Sequence, residues 1–107
     1  MPRLQQGSVV WAELPAPFNR RPVLVLTRDS VIGRLNALTV APITRTIRKT
    51  QTEVILEPND GVPTICAISL DNIFTIPRSA LGSIITVLTA EKMRLVFAVV
   101  RAAFDMP

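Results

Sequence analysis

The 107-residue chain contains no histidine and a single cysteine, Cys66. Those two gaps exclude a good deal of chemistry. Without His there is neither a Ser-His-Asp triad nor a Cys-His pair. One Cys leaves no internal disulfide and no multi-cysteine zinc centre. Cys66 sits in the apolar run Ile65-Cys66-Ala67-Ile68 and reads as a small buried hydrophobe, not a nucleophile. No Gly-rich stretch has the spacing of a P-loop or a dinucleotide fold. The acids Glu13, Asp29, Glu53, Glu57, Asp60 and Asp71 are scattered, so no Asp-x-Asp cluster points to a two-metal nuclease. No run approaches about 18 apolar residues, and the start of the chain (Met1-Pro2-Arg3-Leu4-Gln5-Gln6) has no apolar signal core. A soluble cytoplasmic protein, with no metal, no cofactor and no membrane partner, is expected.

What is present is basic and punctuated. Hydrophobic residues make up 49%, enough for a globular core. Prolines at 15, 17, 22, 42, 58, 63 and 77 cut the chain into short elements, which suits strands better than a helical bundle. Charge is unevenly spread. Arg20, Arg21, Arg28, Arg34, Arg45, Arg48 and Lys49 face one acid, Asp29, between positions 20 and 49. That window carries +6 of a net +4, leaving the rest near −2. A polyanion such as nucleic acid is the simplest partner for it; a solvated, solubilising surface is the other reading.

Alternation and turn residues predict strands over residues 8–14, 22–27, 37–43, 52–56, 64–70, 73–76 and 83–87. Pro22 is expected at the very start of its strand. Residues 28–36 read as a connector, 15–19 as a loop, 44–51 as a loop or a twisted hairpin arm, and Arg78–Leu81 as one helical turn. Asp60-Gly61 is strong turn chemistry. The period then changes: Met93, Val96, Phe97, Val100 and Phe104 recur at helical spacing behind Thr89, a good N-cap. Leu95 and Val99 make a second side apolar, so the helix is expected on the barrel and against a second subunit as well, full burial within one chain being the alternative. The fold class is mostly β with a C-terminal α-helix: one domain, a small SH3-like barrel of six or seven strands.

Arginine, hydroxyls and amides remain as candidate chemistry. Arg21 precedes Pro22, which biases its backbone toward extended geometry. Thr44 follows Ile43 at the end of the third predicted strand. Were strands two and three adjacent, the two would flank one small site. RNA cleavage by the ribose 2′-OH suits such a site, because the substrate supplies the nucleophile. The plainer alternatives are Arg21 as a phosphate contact or salt bridge and Thr44 as a strand-end cap.

The segments G-S-V-V-W (7–11), R-R-P-V-L-V-L-T (20–27), V-A-P-I-T (40–44), L-D-N-I-F-T-I (70–76) and L-G-S-I-I-T-V-L (81–88), with the terminal helix, resemble the MazF/PemK toxins of type II toxin–antitoxin pairs. They stand in the family's order over about 7–104 of the single domain 1–107. The resemblance implies a dimeric CcdB/PemK-like barrel, metal-independent and sequence-specific cleavage of single-stranded RNA, chiefly mRNA, to a 2′,3′-cyclic phosphate, and a MazE-like antitoxin partner. It implies Arg21 and Thr44 as the catalytic pair. Arg20, Arg45, Arg48 and Lys49 then fit as phosphate contacts. Phe18 fits as a base stacker or as barrel-rim packing, and Asn72 as a base reader or as a turn former. The chain departs from the family at Ser8 in place of Asp, at the shortened loop Pro15–Arg20, and at Phe74 where a basic residue is common. Related CcdB-like gyrase poisons share the barrel without needing Arg21 and Thr44. A non-catalytic RNA-binding barrel is the third reading.

Overall fold

The computed structural model describes residues 3–107. Seven strands form among them: β1 (Ser8–Glu13), β2 (Arg20–Val25), β3 (Ala37–Thr44), β4 (Glu53–Leu56), β5 (Cys66–Ser69), β6 (Phe74–Pro77) and β7 (Leu81–Val87). A one-turn helix α1 (Asp29–Ile32) separates β2 from β3, and helix α2 (Ala90–Ala103) ends the fold. Neighbouring strands run antiparallel in the order β4-β5-β3-β2-β1-β7, with β6 also on β3.

Strand β3 organises the whole. Residues 40–42 pair with β2 along one edge. The other edge pairs with β6 over 37–40 and then with β5 at Ile43 and Thr44. One eight-residue strand therefore serves two partners on the same side, and the sheet must bend sharply between them. Its alternating side chains feed two cores. Leu38 and Val40 join Val10, Val23, Val25, Ile32 and Ile76 on one face. Ala41 and Ile43 join Val9, Leu24, Leu56, Ile68, Met93 and Val96 on the other. This is period-two alternation with both faces covered.

The far ends of the sheet meet at a turn. A 3-10 turn at Pro58–Asp60 ends on Gly61 in the left-handed region (φ 98°). A Cβ there would collide with Thr86 Oγ1 of β7. The chain after β4 thus lies directly on β7. Helix α2 starts as its sequence predicts, with Thr89 Oγ1 accepting the Lys92 N–H at 3.1 Å. Lys92 then ties the helix to the turn, with its Nζ 3.5 Å from Asp60 and donating to Ile55 O. Met93 and Val96 are buried, while Leu95 and Phe104 remain 49% and 57% exposed.

Three expectations need correction. Pro22 is the third residue of β2, not its first, and pairs with Trp11 of β1. The ladder to β3 begins only at Val23, so its missing N–H falls where that side of β2 is still an edge. The connector 28–36 contains α1, whose Asp29 accepts the Gln6 N–H at 2.7 Å and whose Ile32 enters the second core. The third is the predicted strand over 64–70, which is only Cys66–Ser69.

Candidate functional site

The β2–β3 register fixes the first two residues. Val23 faces Pro42, Leu24 faces Ala41 and Val25 faces Val40. Continuing that register by two residues brings Arg21 opposite Thr44. Both then share the face of Val23 and Pro42, at the open edge of the second core. Here the apolar filling ends and polar side chains begin.

Arg21 is held on two sides by Phe18. Its Nε donates to Phe18 O at 2.8 Å, and its guanidinium carbon lies 5.3 Å from the Phe18 ring centroid. Phe18 is braced in turn by an edge-to-face contact with Phe74, centroids 5.1 Å apart. The short loop that carries Phe18 closes on itself, through Leu14 N–H to Asn19 O (2.8 Å) and Phe18 N–H to Pro15 O (3.1 Å). With Nε occupied, the two terminal amino groups of Arg21 have no protein partner among the described residues. They form the forked end suited to two oxygens of one phosphate. Thr44 is half-buried, and its Oγ1 accepts the Thr46 N–H at 3.1 Å, which leaves the hydroxyl hydrogen to donate.

These groups line a cleft of about 390 Å³ with Phe18, Arg48, Glu53, Ser69 and Asn72 around its wall. That size lies within the roughly 300–1,000 Å³ usual for small-molecule sites. Four of the strands supply it: β2 gives Arg21, β3 gives Thr44, β5 gives Ser69 and β4 gives Glu53. Asn72 follows β5 in a turn and donates from Nδ2 to Ser69 Oγ at 2.8 Å. Five sequence candidates therefore converge: Arg21, Thr44, Phe18, Arg48 and Asn72.

The other three lie outside that cleft. Arg20 stacks over Trp11 at 4.9 Å and reaches Glu13 at 3.8 Å, with both partners of the ion pair exposed. Arg45 borders an adjoining cavity of about 170 Å³ beside Trp11, Pro22 and Cys66, which meets the first at Thr44. Lys49 borders an apolar hollow with Ile47, Ile55 and Ile65. Cys66 is buried; burial and nearby Asp60 push its thiol up, while Arg45 opposes them, so it stays a protonated packing group. Among the described residues no three His, Cys, Asp or Glu side chains cluster as a metal site. No described helix is long and apolar enough to cross a membrane. Glu53, Thr46 and Ser69 are cleft residues the sequence did not single out.

Comparison with known proteins bears on this arrangement. Residues 5–104 match the family described as PemK-like, MazF-like toxin of type II toxin–antitoxin system. The chain belongs to the PemK/MazF toxin family. Among relatives of these toxins, the "Probable endoribonuclease MazF5" of Mycobacterium tuberculosis is 39% identical over 94% of this chain and 92% of its own length. The "Endoribonuclease MazF3" of the same organism is 41% identical over 80% of this chain and 84% of its own. The solved structure of "Mycobacterium tuberculosis toxin MazF-mt6" superposes with a TM-score of 0.86 at 37% identity, covering 94% of this chain and 98% of that one. A mycobacterial endoribonuclease in complex with its cognate antitoxin shares the fold, with a TM-score of 0.85 at 20% identity, covering 98% of each chain. Where PemK/MazF toxins usually carry Asp after the first Gly, Ser8 is fully buried here, and its Oγ accepts the Gln5 N–H at 3.0 Å.

Proposed function

We propose that this toxin is a sequence-specific endoribonuclease that cuts single-stranded RNA, chiefly mRNA, in the cytoplasm and without a metal. The observation that carries this reading is the Arg21 fork beside the Thr44 hydroxyl at one cleft. The names of the M. tuberculosis relatives support it.

The ribose 2′-OH is the nucleophile. Arg21 holds two non-bridging oxygens of the scissile phosphate, and Thr44 donates to one of them. Negative charge on those oxygens rises as the phosphorane forms, so both contacts strengthen in the transition state. The phosphate is fixed in line with the 2′-oxygen, and the products are a 2′,3′-cyclic phosphate and a 5′-hydroxyl. Phe18 stacks on a base beside the cut, and Asn72 and Arg48 hold neighbouring groups in the cleft. Arg20, Arg45 and Lys49 track phosphates further along the strand. The whole of 1–107 acts as one domain. A MazE-like antitoxin covers the same groove, and the exposed apolar side of α2 meets a second copy in a homodimer.

The test incubates the protein with a long single-stranded RNA in EDTA, beside Arg21→Ala. Discrete cuts by the wild type alone, ending in 2′,3′-cyclic phosphate, are expected. No cutting, or equal cutting by both, contradicts the reading and turns attention to gyrase binding and to plain RNA binding.

A further inference from the structure

Transfer of the 2′-OH proton has no acceptor in the machinery described so far. A guanidinium is protonated at any working pH and offers no lone pair. The hydroxyls of Thr44, Thr46 and Ser69 and the Asn72 amide are neutral and weakly basic. The chain has no histidine. One carboxylate lines the cleft, that of Glu53. An anion on the wall of a polyanion site costs binding energy, so its presence there calls for a reason.

Resting on the ribonuclease reading above, we propose that Glu53 is the general base that takes the proton from the ribose 2′-OH. Its place follows from strand register. Glu53 faces Ser69 across the β4–β5 ladder, and Thr44 faces Ala67 across the β3–β5 ladder. Ser69 and Ala67 are two apart on β5, so Glu53 and Thr44 project from the same side of the sheet. They stand two strand spacings apart, about 10 Å, and about 7 Å along the strands. Both side chains line the cleft that lies between them.

The carboxylate is fixed and half available. Glu53 Oε1 accepts the N–H groups of Arg48 (3.0 Å) and Thr50 (3.4 Å). Its Oε2 has no protein partner among the described residues. Neither of the two ion pairs among those residues involves Glu53. One oxygen thus clamps the basic loop, and the other is left to accept a proton. In the step, the O2′–H proton passes to Oε2 as the O2′–P bond forms. The P–O5′ bond breaks, and the departing 5′-oxygen takes a proton from solvent water. Glu53 later returns its proton to solvent.

Glu53→Gln separates the two oxygens. The glutamine carbonyl keeps the loop clamp, while the amide nitrogen accepts no proton. Single-turnover cleavage of a mapped RNA would be measured for wild type, Glu53→Gln and Glu53→Asp. Thermal midpoints would be recorded beside it. Binding would be measured on the same RNA carrying a 2′-deoxy nucleotide at the cut. Glu53→Gln should lose about 100- to 10,000-fold in the cleavage rate constant, with binding no weaker than that of the wild type and the thermal midpoint unchanged. Glu53→Asp, a displaced carboxylate, should fall between. Glu53→Gln cutting within about threefold of wild type overturns the proposal and leaves Glu53 a loop clamp. So does a loss in binding that accounts for the loss in rate. A wild type that cuts no RNA sinks the ribonuclease reading itself, a result distinct from the other two.

Discussion

Arg21 owes its orientation to three neighbours of different kinds. Pro22 biases its backbone, Phe18 O takes its Nε, and the Phe18–Phe74 pair props the ring beneath it. Lysine has no Nε, so its ammonium must choose between the Phe18 carbonyl and the phosphate, yet it keeps the charge. Arg21→Ala should therefore lose roughly two to four orders of magnitude in cleavage rate. Arg21→Lys should retain detectable activity, measured under the same single-turnover conditions. Equal losses would assign the effect to the fork's geometry. At this scale the sequence was legible where a residue carried a local mark. Arg before Pro and Thr at a strand end stand out in one dimension. Glu53 does not, because what makes it a cleft residue is its rung opposite Ser69, a pairing between segments 16 residues apart. Arg45 and Lys49 show the converse. Their charge was plain, but the turns after β3 carry them to separate hollows.

Among the elements, strands declared themselves by alternation and α2 by its change of period. The one-turn helix α1 and the 3-10 turn at 58–60 are too short to show any period, so their composition reads only as connector and turn. Strand ends shifted by one or two residues because pairing decides them, as at Pro22. Two elements carry measurable weight. Gly61 combines a positive φ with direct contact on Thr86. Gly61→Ala should cost at least about 1 kcal/mol for the backbone and about 1–3 kcal/mol for overpacking. A chemical denaturation curve would read that loss, and adding Thr86→Ala should recover the overpacking part. At the start of α2, Thr89→Ala removes the bond to the Lys92 amide and should cost about 0.5–2 kcal/mol in the same measurement.

For the molecule as a whole, the charge asymmetry in the sequence is divided between the cleft, lined by Arg21 and Arg48, and two neighbouring hollows bordered by Arg45 and Lys49. It does not become one continuous pocket, since only Arg21 and Arg48 enter the cleft. Affinity and chemistry should accordingly separate. Binding of uncleavable single-stranded RNA should fall with salt, with a slope in log K against log salt of about −2 to −3.5 for three to five phosphate contacts. Replacing Arg45 and Lys49 together should shallow it by about 1.4 and leave the cut sequence unchanged. A cut sequence altered by that pair would place base recognition outside the cleft. In this mechanism the protein supplies no nucleophile and the substrate does. Two RNAs of one sequence decide it, the second carrying a single 2′-deoxy nucleotide 5′ to the mapped cut. Cleavage of the first and none of the second, with both bound equally, is expected. Equal cleavage of the two would contradict it and require an attacking group from the protein or from water.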